Sequence, residues 1–281
     1  MVQFKPPKSL FPKGDSKILP TEFDLPDSDN RPVDNELQIL LPIMLRGVLE
    51  LAWPDRRDWY FGVNLGIYYD PKKPAVGPDG FISLGVPYLR EGKDLRLSYL
   101  LWHEKVVPQW VLEVVSKKPG KEYDEKMALY AQLGVLYYTI FNPKHAKRDG
   151  HNSFEVYRLV EGRYVLQPGS SPVWMPELGL GVGVARGEEC LLPARDWVYF
   201  YDEQGRQYPT KDSLIGQSAQ QLAQAELSAQ QAGLETEQAK LEAEQAKLEA
   251  EQAKLEAEQA KLEMAALLQK LRDRNIDPNT L

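Results

Sequence analysis

Hydrophobic positions follow two regimes along the chain. Up to about residue 210 they fall in short, dense runs, and beyond residue 234 they return as single leucines every seven residues. Residues 36–51, ELQILLPIMLRGVLEL, have helical spacing, and Asp34 or Asn35 stands where a cap belongs. Pro42 lies inside that run and predicts a kink or two short helices. Residues 59–69, WYFGVNLGIYY, predict a strand, with Gly62 and Gly66 as bulge or close-approach points. Residues 79–85 predict the next strand, and residues 98–105 a short helix or an extended edge. Residues 110–115 read as a buried strand, residues 122–133 as a helix stopped by Gly134, and residues 135–141 as a second buried strand. A strand, helix, strand order needs a crossover, so that part of the sheet is expected to be parallel. Two alternating runs, 154–159 and 163–166, flank Glu161-Gly162 as in a hairpin, and residues 174–184 and 190–201 add further strand segments. The fold class is therefore α/β, a mixed sheet with flanking helices.

The seven-residue series is Leu234, Leu241, Leu248, Leu255 and Leu262, set in near-identical LEAEQAK units. Such spacing suggests a coiled coil and homo-oligomer formation through residues 234–271. The second seam position is poor, because it holds glutamine in one register and glutamate in the other. A solitary charged helix held by Glu–Lys pairs is the equal alternative. The expected division is a flexible arm over 1–31, a globular domain over 32–212 and a helical tail over 213–281.

Charge and cysteine count narrow the setting. From Gln217 onward, 12 acidic and 7 basic residues account for −5 of the net −7, leaving −2 on the body. That balance gives no bulk sign of a nucleic-acid binder and leaves room for a local basic groove. A single cysteine, Cys190, excludes a disulfide scaffold and a cysteine-built zinc site. No apolar run reaches the ~20 residues of a membrane span, and the first residues lack the pattern of a secretory signal. A cytoplasmic protein with no membrane contact is the expectation.

The candidate chemistry centres on one charge in an apolar strand. Glu113 stands in the middle of residues 110–115, where a buried carboxylate costs several kcal/mol unless a metal ion, lysine or arginine pairs with it. Asp79 follows Pro78 at the start of another strand. Two acids on neighbouring strands, with a main-chain carbonyl such as that of Val114, meet the oxygen-ligand preference of Mg²⁺. The plainer reading is that Asp79 caps a turn and Glu113 pairs with an arginine. Lys126, on the following helix, can reach the same place or be a solvated lysine. Lys117 and Lys118 follow the strand and suit phosphate contacts. Asp124 suits the helix start or the orientation of Lys126. Ser116 and Tyr130 suit supporting roles, and Glu36 reads as a helix-start acid or a neighbour of the metal. The three histidines, His103, His145 and His151, have no metal-ligand spacing, and neither a phosphate loop nor a G-x-S-x-G elbow is present.

Taken in order, these segments resemble a known family. Pro78-Asp79, VLEVVS (111–116), EYDEKM (122–127) and LGVLYY (133–138), with PVDNELQ (32–38), DWYFGVNLGIYYD (58–70) and SLGVP (83–87), resemble the Uma-two family of restriction-type endonucleases in the PD-(D/E)XK superfamily. The resemblance covers residues 32–210. It implies a restriction-endonuclease-like fold, DNA as substrate, and Mg²⁺ (or Mn²⁺) held by Asp79 and Glu113. The chain departs from the superfamily's E-x-K pattern, because Val115 stands where the lysine is usual. The resemblance supplies Lys126, from the next helix, in its place. The expected function is a Mg²⁺-dependent endonuclease cutting DNA phosphodiesters. Its rival is a non-catalytic DNA- or protein-binding module that keeps the fold and associates through the tail.

Overall fold

The structure, a computed structural model, describes residues 19–27, 34–89, 95–118, 120–168 and 172–273. Most of the expected N-terminal arm lies outside the described residues. The chain forms two compact units, 1–215 and 216–281. The order in the first is α1 (Leu37–Ala52), β1 (Trp59–Val63), β2 (Ile67–Tyr68), β3 (Gly80–Leu84), β4 (Tyr99–Leu100), α2 (Leu101–Glu104), β5 (Trp110–Val114), α3 (Glu125–Leu133), β6 (Tyr137–Phe141), α4 (Ala146–Asp149), β7 (Phe154–Val160), β8 (Arg163–Leu166), β9 (Val173–Met175), β10 (Leu180–Gly187) and β11 (Arg195–Tyr201). A final helix, α5 (Lys211–Asp273), begins there and supplies the second unit.

The main sheet has the order β1-β3-β5-β6-β7-β8 and is mixed. Only β5 and β6 run parallel in it, joined across α3 as the strand, helix, strand pattern requires. All its other neighbours are antiparallel. A three-stranded antiparallel sheet, β11-β10-β9, and a short parallel pair, β2-β4, complete the described strands.

Alternation along the central strands sorts the core. Leu112 and Val114 of β5 join the apolar cluster built with Leu41, Leu45 and Val48 of α1 and with Trp197 and Phe200 of β11. Val111 and Val115 join the opposite cluster, with Tyr130 and Leu133 of α3. Successive side chains of a strand point to opposite faces. Glu113 therefore lies on the α3 face with Val111 and Val115, as Asp79 does with Phe81.

Two expectations are refined. Of the two outcomes expected at Pro42, a division into short helices does not occur, because the first helix runs unbroken from Leu37 to Ala52. Proline has no N–H for the carbonyl four residues back, which belongs to Gln38. That carbonyl instead accepts from Asn64 Nδ2 at 3.1 Å, so the break in the helical ladder is filled from outside. The 59–69 strand is two strands, because Asn64 takes a left-handed backbone conformation (φ 46°) that ends β1. The hairpin turn follows expectation, with Glu161 and Gly162 both at positive φ (49° and 80°).

Gly62 shows why β1 needs a glycine. A Cβ there would stand 2.1 Å from the Phe81 ring on the neighbouring strand. Gly62→Ala is expected to destabilise the first unit by about 1–3 kcal/mol, measured as a lower Tm or denaturation midpoint. An unchanged midpoint would mean that Phe81 moves aside freely.

Candidate active site

The antiparallel register of β3 and β5 pairs Gly80 with Leu112 and Phe81 with Val111. The ladder ends there, and Asp79, the next residue out, lies close enough to Glu113 for the Glu113 charge to act on it. The pairing of β3 with β5 thus brings the two acids to one site. Asp79 Oδ2 accepts a hydrogen bond from the Val114 N–H at 2.6 Å, which ties the start of β3 to the end of β5.

The helix supplies the rest. Lys126 and Tyr130 lie four residues apart on α3, so both project from one face. Lys126 Nζ lies 2.7 Å from Glu113 Oε2, and the Tyr130 hydroxyl donates to Glu113 Oε1 at 2.8 Å. Lys126 Nζ also lies 3.4 Å from the carbonyl of Gly77, just ahead of Asp79. Gly134 stops α3 in the left-handed conformation (φ 86°), which allows the chain to turn back into β6. The partner of Glu113 is this lysine, not an arginine.

Asp79 and Glu113 are only 6% and 2% exposed. Burial pushes the Asp79 carboxyl well above its ordinary range, and the Glu113 charge adds to the rise. Burial also raises Glu113, against the opposing pull of Lys126 and Tyr130. Burial alone would lower Lys126, but Glu113 and then Asp79 hold its pKa above the usual lysine value, so it stays charged. Two carboxyl groups thus share one ammonium group, and burial disfavours the charged form of both acids.

Three residues of the site escaped the sequence reading. Glu122 is 5% exposed in the loop before α3, and its charge acts on Asp79, Glu113 and Lys126. Its carboxylate accepts from the Gly120 N–H at 2.8 Å, and its carbonyl from the Tyr138 hydroxyl at 2.9 Å. A glutamate in a Lys-Gly-rich loop looks like surface charge, so only its place in EYDEKM marked it. Gln38 of α1 donates from Nε2 to the Val114 carbonyl at 3.1 Å. Asn64 joins the same frame, donating its N–H to the Asp79 carbonyl at 3.1 Å besides filling the gap left by Pro42.

The remaining candidates divide. Ser116 is buried, with Oγ 2.7 Å from Asp34 Oδ2 and 2.8 Å from the Lys118 carbonyl. Asp124 sits at the N-cap of α3 without a capping bond from its side chain, which is exposed. Its carbonyl serves the helix instead, accepting from Ala128 N–H. Glu36 is likewise exposed at the N-cap of α1, and Asn35 Oδ1 is what accepts from the Leu37 N–H. Lys117 and Lys118 are exposed just past β5. Because β5 and β6 run parallel, the segments leaving them emerge side by side. Arg148 of α4 donates to the Lys117 carbonyl at 2.5 Å, and Lys144 and Lys147 are exposed beside it in sequence.

A family model described as "Putative restriction endonuclease", Uma2, matches residues 32–190. The chain belongs to the Uma2 family. The matched span takes in Asp79, Glu113 and Lys126 together with the Gln38 and Asn64 frame. Among solved structures, the Uma2 chain is similar to a "putative nuclease belonging to DUF820" from Anabaena variabilis ATCC 29413, at 13% identity, over 49% of this chain and 70% of that one, with a TM-score of 0.37. No curated protein is significantly similar to it. Among the described residues, no helix is long and apolar enough to cross a membrane.

The raised carboxyl groups carry a signed consequence for the metal-free protein. A carboxyl whose folded pKa lies above its unfolded value lowers stability as pH rises from the unfolded value through the folded one. Asp79→Asn keeps an acceptor for Val114 and removes the charge. With EDTA present, it is expected to raise stability at pH 7 by about 1 kcal/mol, or roughly 2–4 °C in Tm. The gain should shrink towards zero as pH falls to the ordinary carboxylate range. A melting curve showing the gain growing at low pH would contradict the assignment.

Proposed function

We propose that this Uma2 chain is an endonuclease that hydrolyses DNA phosphodiester bonds with Mg²⁺ (or Mn²⁺) held between Asp79 and Glu113. The observation that carries the reading is the pair of buried acids brought together where β3 meets β5, with Lys126 drawn onto one of them at 2.7 Å. The donor set fits a hard divalent ion. Two carboxyl groups face a single ammonium group, the ligands are oxygens, and the Asp79–Val114 bond engages only Oδ2. Among the described residues, no group of three or more His, Cys, Asp or Glu side chains is placed to hold a metal ion, so an ion here would rest on two carboxylates, a main-chain carbonyl and waters, a set that Mg²⁺ accepts. The Val114 carbonyl has a second lone pair beyond the one Gln38 uses, so it can complete the set.

The chemistry such an ion supplies is polarisation of the phosphoryl oxygen and activation of water. The chain's own groups do the rest. Tyr130 and Lys126 fix both oxygens of Glu113. The charged Lys126 is positioned to oppose the negative charge that builds on phosphate. Gln38 and Asn64 hold the backbone on which the acids stand. Lys117, Lys118, Lys144, Lys147 and Arg148 offer basic side chains for the phosphate backbone on a body whose net charge is slightly negative. A reducing, cytoplasmic setting agrees with the single cysteine.

A second reading, a non-catalytic DNA- or protein-binding module, draws on Val115 in the superfamily's lysine position. Plasmid nicking separates the two. Wild type with Mg²⁺ is expected to nick supercoiled DNA, and Glu113→Ala and Lys126→Met to lose the activity by ~100-fold or more. Both variants should keep DNA binding, measured by gel shift. Equal nicking by wild type and Glu113→Ala would remove the enzymatic claim for this site. Binding without nicking by wild type would support the second reading.

A further inference from the structure

The second unit has a face that the nuclease reading leaves unused. Helix α5 runs 63 residues and buries none of them. Leu234, Leu241, Leu248, Leu255 and Leu262 are 58–67% exposed, and Leu227 extends their register by one heptad. At ~100° per residue, the surroundings of this stripe follow from sequence. With the leucines at position d, glutamine fills position a from Gln231 through Gln259. Position e then holds Glu235, Glu242, Glu249, Glu256 and Glu263, and position g holds Glu237, Glu244, Glu251 and Glu258. Lys240, Lys247, Lys254 and Lys261 all fall at position c, away from the seam. The alternative register, leucine at a, puts Glu237, Glu244, Glu251 and Glu258 at buried d positions, which is strongly unfavourable.

The leucine stripe is therefore walled by carboxylates on both sides. In a parallel pair of identical helices, g residues meet e residues of the partner, and in an antiparallel pair g meets g and e meets e. Every one of those contacts is glutamate against glutamate through the repeats. Like charges at these positions set partner choice against self-pairing. We propose that residues 227–263 form a docking face for a different helix, one with leucine at its seam and lysine or arginine on both flanks. This departs from the self-association suggested by the heptads alone, and it does not depend on the nuclease reading.

The test uses the full chain and labelled four-heptad peptides. The first has leucine at d, glutamine at a and lysine at e and g. The second replaces those lysines with glutamate. The third keeps the composition of the first but moves its leucines off the stripe. Anisotropy and sedimentation should show a one-to-one complex with the first peptide, weakening as salt rises. The second and third should bind at least ~10-fold more weakly. Leu241→Ser, Leu248→Ser and Leu255→Ser together should abolish binding of the first peptide, with helicity checked by circular dichroism. Equal binding of the displaced-leucine peptide would reduce the interaction to bulk charge and overturn the proposal. So would failure of the lysine-flanked peptide to bind, or a homodimer of the full chain at neutral pH that the same three substitutions dissolve.

Discussion

The site depends on one buried carboxylate being met from above. Glu113 stands in a strand whose other positions are apolar, and it is tolerable there only because Lys126 and Tyr130 reach both of its oxygens. That double contact fixes where α3 lies over β5. The α3 docking in turn completes the parallel β5–β6 crossover, and the crossover brings α4 beside the end of β5. Asp79, held by the Val114 N–H, adds a second acid beside Glu113. Helix α3 also buries Tyr130 and Leu133 in the apolar cluster on that face, so the charged contact and the apolar packing together hold it.

Much of this was legible in the sequence. The apolar run around Glu113, the Pro-Asp before β3, and the strand, helix, strand order were enough to expect a mixed sheet with two acids on adjacent strands. Glycine at 134 and Glu161-Gly162 marked a helix end and a turn, because their backbone conformations restrict residue choice. Sequence patterns of this kind work where a local rule and the tertiary fold agree.

The misses share a cause. Pro42 is a helix breaker by local rule, but a side chain from residue 64 supplies the bond that proline forfeits. No window of sequence around Pro42 contains that information. Gln38 belongs with it, since its amide and its carbonyl act on β5 and on the loop after β1 respectively. Glu122 was hidden by the opposite effect: its surroundings in sequence are those of an exposed loop, and only the fold buries it. Asp124 and Glu36 occupy helix starts as expected of acids, yet their carbonyls, not their carboxylates, do the bonding.

Because Lys126 comes from a helix and not from the strand that carries Glu113, the ammonium group is a tertiary contact and not a local one. A lysine two residues along the same strand is present wherever that strand is formed. Here, a sheet that is fully paired but has lost the docking of α3 retains both acids and lacks their counter-charge. Such partial opening requires less free energy than global unfolding. The cluster of two acids and one ammonium group can thus come apart while the sheet beneath it stays formed, and anything that loosens nine residues of helix uncouples the acids from their cation.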